Sequence, residues 1–185
     1  AFDPGPGNMV VDGVVWLLTG ARYDQDGRMA AAGTPHLGLV EELLGHPYFQ
    51  QPPPKSTGRE VFGEDFARAL VERGHQLELS DADLVATATY FTARSVVDAY
   101  RFLGKVDEVL LSGGGVHNQT LVGWIRELLK PVPVRTTAEE GVDPDFKEAV
   151  AFAVLGALAA WGMPGNLPSA TGARRAVVLG DLTPP

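Results

Sequence analysis

The sequence predicts an α/β protein in which a parallel or mixed sheet lies under helical cover, and three observations point there. Val106–Leu111 is a short apolar run, entered through Asp107 and Glu108, and it leads directly into three glycines, Gly113, Gly114 and Gly115. A segment of helical period follows from Gln119 to Lys130, carrying Leu121, Trp124, Ile125, Leu128 and Leu129 on its inner face. Pro131 breaks it, a second apolar run spans Val132–Thr136, and a loop through Glu139–Pro144 opens a long apolar helix, Asp145–Trp161. Strand, helix, strand, loop and helix in that order pack most simply as neighbouring strands covered by helices.

The first half of the chain reads as mainly helical. In Met9–Leu18, Val10, Val14 and Leu17 or Leu18 recur at helical spacing, although the β-branched content leaves a strand open. Thr19–Gly33 reads as a turn-rich connector and Pro35–Gly45 as a helix with Leu39, Val40, Leu43 and Leu44 inward. Pro47–Pro54 has three consecutive prolines after Tyr48 and Phe49, which predicts a rigid extended stretch. Glu64–Arg73 reads as a short helix with Phe66, Leu70 and Val71 inward, stopped at Gly74. Ser80, with Asp83 three residues on, is a good N-cap. The helix that it opens is expected to reach about Leu103, with Leu84, Ala88, Phe91, Ser95, Val96, Ala99, Tyr100 and Leu103 along one stripe.

Composition narrows the function. Hydrophobic residues make up 45% of the 185 and charged residues 21%, a globular balance, while 22 glycines and 14 prolines imply many fixed turns. The net charge of -8, with no Lys/Arg stripe, disfavours nucleic acid as a partner. There is no cysteine, which rules out disulfides, zinc–thiolate sites, iron–sulfur clusters and a thiol nucleophile, and which fits a cytoplasmic setting. Ala149–Trp161 is too short to span a bilayer, and no signal peptide is visible. The four histidines are scattered without metal-ligand spacing, and no Gly-X-Ser-X-Gly elbow occurs. A small-molecule ligand is the remaining expectation.

Two stretches carry the clearest chemistry. Three glycines directly after a strand let backbone approach a ligand closely, at the strand end where open α/β sheets bind. The spacing is neither a dinucleotide fingerprint nor a Walker loop. The alternative is a tight turn with Asn118 capping the next helix, beside which His117 supports the loop. Asp3 sits in a rigid frame of Pro4, Gly5, Pro6 and Gly7 followed by Asn8, as a general base requires; equally, it could cap the Met9–Leu18 helix. Asp12, one turn beyond Asn8, either orients that loop or is solvated. Lys55, Ser56, Thr57, Arg59 and Glu60 either hold an anionic or polar ligand or form a surface loop with local ion pairs. Glu140, Asp143, Lys147 and Glu148 flank the last helix, and Asp143 before Pro144 reads chiefly as its cap. Gly165–Ala173 is turn-rich and either closes the domain or touches ligand.

Taken together and in order, these stretches resemble the anhydro-N-acetylmuramic acid kinase family. The resemblance rests on Phe2-Asp3-Pro4-Gly5-Pro6-Gly7-Asn8 with Asp12, Pro54-Lys55-Ser56-Thr57-Gly58-Arg59-Glu60 with Phe62, and Ser112-Gly113-Gly114-Gly115-Val116-His117-Asn118. It continues through Glu140-Gly141-Val142-Asp143-Pro144-Asp145-Phe146-Lys147-Glu148-Ala149 to Gly165-Asn166-Leu167-Pro168-Ser169-Ala170-Thr171-Gly172-Ala173 and Leu179-Gly180. Pro4 departs from the Thr or Cys that the family often has there.

The resemblance implies a ribonuclease-H-like lobe of the actin-like ATPase superfamily, with a mixed sheet among packed helices and the N-terminal lobe missing. On that reading the chain is the C-terminal lobe: 1–18 an interlobe active-site loop and helix, 19–104 a helical part with the sugar-side cluster, 105–185 the nucleotide-binding part. The implied reaction opens 1,6-anhydro-N-acetylmuramic acid with water and phosphorylates O6 from ATP, with Mg2+, in cytoplasmic cell-wall recycling by a homodimer. Asp3 would be the base; Gly113, Gly114, Gly115 and Asn118 would bind nucleotide. Gly5, Gly7, Asn8, Lys55, Ser56, Thr57, Arg59 and Glu60 would bind sugar. The family's Ser-Gly-Thr-Ser phosphate loop is absent, so this chain alone is expected to have little activity. Another sugar kinase of the superfamily, or a non-catalytic nucleotide-binding or dimerisation module, are the alternatives.

Overall fold

The computed structural model describes residues 1–181 and 183. After the opening loop, α1 (Met9–Thr19) buries Val10, Val11, Val14 and Val15 and ends at Gly20, so the helical reading of this segment holds over the strand. The connector to Gly33 is more ordered than its turn-rich sequence implies. It contains a 3-10 turn, Gln25–Gly27, and a short helix, α2 (Arg28–Ala32). The carboxylate of Asp24 makes that possible, accepting from the amides of Met29 and Ala30 at 2.9 Å each.

α3 (Leu37–Leu44) is the expected helix. Pro47–Pro54 is not uniformly extended: Pro47 occupies the first turn of a short helix, α4 (Pro47–Gln50), where its missing N–H costs nothing. Histidines cap both helices. His36 Nδ1 accepts from the Leu39 amide at 3.0 Å and His46 Nδ1 from the Tyr48 amide at 3.2 Å. After α5 (Arg59–Phe62), α6 (Glu64–Gln76) runs through Gly74 rather than stopping there. Gly74 is a crossing point: a Cβ on it would lie 2.0 Å from Leu84 Cδ2.

α7 (Asp81–Asp98) is the axis of the molecule, packed against α1, α2, α3, α6 and the helix after the first strand. Ser80 caps it as expected, accepting from the Asp83 amide at 3.2 Å. The expected single stripe widens to almost the whole circumference, because neighbours lie on several sides. Buried Thr87, Thr89 and Thr92 satisfy their hydroxyls on the carbonyls four residues back, Asp83, Val85 and Ala88. The helix closes in a 3-10 turn, Ala99–Phe102, and Leu103 is exposed rather than on the stripe.

β1 (Val109–Leu111) and β2 (Val134–Thr136) pair in parallel, Val109 opposite Val134 and Leu111 opposite Thr136. Among the described residues this is the whole sheet, smaller than a mixed sheet and with both strands starting later than their apolar runs. Between them α8 (Gln119–Leu128) buries Leu121, Val122 and Ile125, while Trp124 and Leu128 are only half-buried. Its Trp124 meets Tyr90 of α7 edge to face at 5.3 Å, joining the helical half to the sheet. α9 (Lys147–Ala160) and α10 (Pro168–Thr171) follow. No residue of α9 is buried, and no helix among the described residues is long and apolar enough to cross a membrane.

Two cores result. The larger, from α1 to α7, centres on Phe49, Phe62 and Phe91 with Val10, Val14, Leu70 and Leu84. The smaller lies under the sheet, with Ala93, Val109, Leu121, Ile125, Leu129 and Val134.

Candidate active site

Asp3 is held by α4 and the segment that follows it. Its amide donates to the Lys55 carbonyl at 3.1 Å and its carbonyl accepts from the Tyr48 hydroxyl at 2.7 Å. Its carboxylate accepts, on Oδ2, from the Ser56 hydroxyl at 2.7 Å and the Thr57 amide at 3.0 Å. Oδ1 has no hydrogen-bond partner among the described residues. The helix-capping alternative for Asp3 fails, since Asn8 is the N-cap of α1 and makes no side-chain cap bond.

The rest of the opening loop rests on α7. A Cβ on Gly5 would lie 2.6 Å from Ser95 Oγ, so only glycine lets the loop settle there. The Gly7 carbonyl accepts from Thr92 Oγ1 at 3.2 Å.

Tyr48 is buried, and burial, then the nearby Asp3 and Glu60 carboxylates, raise its phenol above the ordinary range. The Lys55 ammonium donates to the Tyr48 carbonyl at 3.1 Å and lies over the Tyr48 and Phe102 rings, 4.6 and 5.1 Å from their centroids. Burial, and then Arg101, lower its pKa. Next to this group, Pro4, Phe49, Lys55, Ser95 and Arg101 line a cavity of about 270 Å3.

The polar cluster predicted from sequence is therefore divided. Lys55, Ser56 and Thr57 gather around Asp3. Glu60 turns back to accept from the Gly58 amide at 2.6 Å. Arg59 lines a separate cavity of about 310 Å3 with Asp12, Trp16, Arg22 and Glu64. Thr57 Oγ1 is out of solvent with no hydrogen-bond partner among the described residues.

The triple glycine closes on the other end of the opening loop. Gly113 has φ +82°, a left-handed conformation natural to glycine, and its amide donates to the Pro144 carbonyl at 3.2 Å. A Cβ on Gly115 would lie 3.2 Å from Asn8 Oδ1. Asn118 caps α8, accepting from the Leu121 amide at 2.9 Å, so the capping role is filled and its side chain is buried. Asn8, Asp12, Asp24, Gly114, His117 and Asn118 line a cavity of about 400 Å3 between α1 and the glycine turn. Asp12 is half-buried in it, and the loss of water raises its pKa from 3.8 to about 6. It is not simply solvated.

His117 supports the turn, its Nε2 lying 3.0 Å from both carboxylate oxygens of Asp145. Glu140 pairs with Arg135 on β2. Asp143 does not cap α9, whose N-cap is Phe146; it accepts from the Asp145 amide at 2.9 Å within the preceding turn. Lys147 and Glu148 are exposed. Among the described residues no three His, Asp or Glu side chains converge as a metal site. Sequence reasoning missed Tyr48, whose bond to Asp3 spans 45 positions and leaves no local trace beyond an aromatic after a proline.

A protein-family model described as "Anhydro-N-acetylmuramic acid kinase" matches residues 1–185. The chain belongs to the anhydro-N-acetylmuramic acid kinase family. A protein of that name from Cyanothece sp. is 51% identical over 185 residues, covering 98% of this chain and 49% of its own length. The Salinibacter ruber kinase is 49% identical over 189 residues, covering 100% of this chain and 48% of its own length. That of Clostridioides difficile is 44% identical over 188 residues, again all of this chain and 49% of its own. The chain spans about half the length of the curated relatives it matches. In the structure the Asp3 loop and the glycine turn approach each other at Asn8.

Proposed function

We propose that this chain forms the C-terminal, ribonuclease-H-like lobe of a two-lobed anhydro-N-acetylmuramic acid kinase, with Asp3 as its general base. The observation that carries the reading is the Asp3 carboxylate, fixed through one oxygen and free at the other, on a loop whose far end touches the glycine turn. In the reaction, Asp3 Oδ1 takes a proton from water as the water oxygen bonds to the anomeric carbon of 1,6-anhydro-N-acetylmuramic acid. The bond from that carbon to O6 breaks, and O6 accepts the γ-phosphoryl group of ATP, giving N-acetylmuramic acid 6-phosphate and ADP.

Gly113–Gly115 and the cavity beside Asn8 would take the nucleotide, because a left-handed glycine followed by two more leaves backbone bare at the carboxyl end of β1. Gly7 and Asn8 would face the sugar, while Thr57, whose hydroxyl is out of solvent and without a partner among the described residues, backs the base through its amide. Among the described residues no set of carboxylates and histidines forms a cage for magnesium, so the ion would be held mainly by the ATP phosphates. The lobe divides at 1–18, 19–104 and 105–185 into active-site loop and helix, helical part, and nucleotide-binding part. Cytoplasmic cell-wall recycling by a homodimer completes the proposal.

Asp3→Asn in the full-length kinase tests it. Removing the base while keeping the shape is expected to leave nucleotide binding intact and to lower turnover by roughly 100-fold or more, measured as ADP release with the anhydro sugar. Undiminished turnover would overturn the assignment. The 185-residue chain alone is expected to turn over little, since a phosphoryl transferase without its phosphate loop cannot stabilise the transferring group.

A further inference from the structure

The geometry points to Tyr48, Lys55 and Ser56 as positioning residues that aim Asp3, rather than as contacts to the sugar. The inference rests on Asp3 being the base. Four hydrogen bonds tie this one residue to the segment from Tyr48 to Thr57, two on its backbone and two on its carboxylate. The backbone pair fixes where Cα lies, and the pair on Oδ2 fixes the rotation of the carboxylate. Ser56 and Thr57 both spend their donors on the same oxygen, which leaves Oδ1 as the proton acceptor.

Lys55 closes the arrangement from behind. Its ammonium is bound to the Tyr48 carbonyl and sandwiched near two aromatic rings, so it holds the tyrosine that holds Asp3 and is not directed at an anion. Tyr48 itself is anchored by edge-to-face contacts with Phe49 and Phe62, at 5.8 and 5.5 Å between ring centroids. The support is therefore a packed aromatic core and the segment after it, reaching Asp3 through four polar atoms. A reacting group needs such support, because misplacement by an ångström costs far more in rate than in binding.

The test separates aiming from binding in the full-length kinase. Ser56→Ala is expected to lower kcat about tenfold or more, the rate equivalent of one lost hydrogen bond to a charged group, with KM for the anhydro sugar unchanged within about twofold. Ser56→Thr keeps the hydroxyl and is expected to restore most of kcat. Tyr48→Phe keeps the ring packing and removes only the bond to the Asp3 carbonyl, so it too should lower kcat without raising KM. Thermal melting of each variant reports whether the fold is kept.

In the background of Asp3→Asn, Ser56→Ala is expected to cost nothing further, because it acts only through Asp3. A tenfold rise in KM at unchanged kcat would make Ser56 a sugar ligand and overturn the inference. If Asp3→Asn is inactive while Ser56→Ala and Tyr48→Phe behave as wild type, the base stands and the aiming role falls. If Asp3→Asn is active, the base assignment itself falls.

Discussion

α7 and α9 are both long, alanine-containing helices with strong apolar content, yet ten of the 18 residues of α7 are buried and none of the 14 of α9. Phe91 in α7 is wholly out of solvent, while Phe152 in α9 is 72% exposed, with Phe146 and Trp161 at its ends almost equally so. Helix propensity does not separate them. α7 has neighbours on several sides, and its threonines bond their own helix so that no hydroxyl is stranded in the core. α9 has apolar residues around its circumference and finds no such cover among the described residues. A helix apolar all round is one that is buried in its working state. The difference teaches that hydrophobicity marks the wish for a neighbour, and that only another segment of structure can grant it.

Substitutions at matched positions would break this contrast if it is wrong. Phe91→Ala is expected to destabilise the chain by about 3–5 kcal/mol through lost burial and a residual cavity, measured by urea unfolding. Next in size is Gly74→Ala, where the new Cβ meets Leu84 Cδ2 at 2.0 Å, for a loss of about 1–3 kcal/mol as the wholly buried Leu84 side chain is forced to shift.

Asp12 supplies a pH-dependent case. Its folded pKa, raised to about 6 by burial, lies above its ordinary 3.8, so the native chain binds the extra proton between these values. Stability from this group is thus full below about pH 4 and is lost as pH rises through 6, after which a charged carboxylate sits half-buried. Asp12→Asn is expected to stabilise the chain by on the order of 1 kcal/mol at pH 8, discounted for solvent screening, and not at pH 4. An equal effect at both pH values would refute the account. The smallest effect belongs to α9: Phe152→Ser, at an exposed position, should change unfolding free energy by no more than about 0.5 kcal/mol, measured by the same urea unfolding.

Much of the site was legible as residues and little of it as contacts. Asp3 in its proline–glycine frame, the glycine run after β1 and Asn118 before α8 were all visible, because each depends on chain chemistry within a few positions. The cluster from Lys55 to Glu60 was visible too, but its division was not. Ser56 and Thr57 point to Asp3, Glu60 folds back on Gly58, and Arg59 faces another cavity, an outcome set by how α5 leaves the loop. Glycines misled where tertiary packing overrode local preference, as at Gly74, which reads as a helix stop and serves as a crossing point.

By itself the sequence determined α1, α3, α6 and α7 of the first half, the strand–helix–strand order of the second, the cap at Ser80, and the family. These follow from periodicity, local hydrogen bonding and ordered motifs, all short-range properties of the chain. Tertiary structure decided that Tyr48 would grip the Asp3 backbone, that Asn8 would reach Gly115, and that α7 rather than α9 would be the buried axis. Each is a contact or packing outcome set by distant parts of the chain, and no local pattern encodes which distant partner a buried hydroxyl or an apolar face will meet.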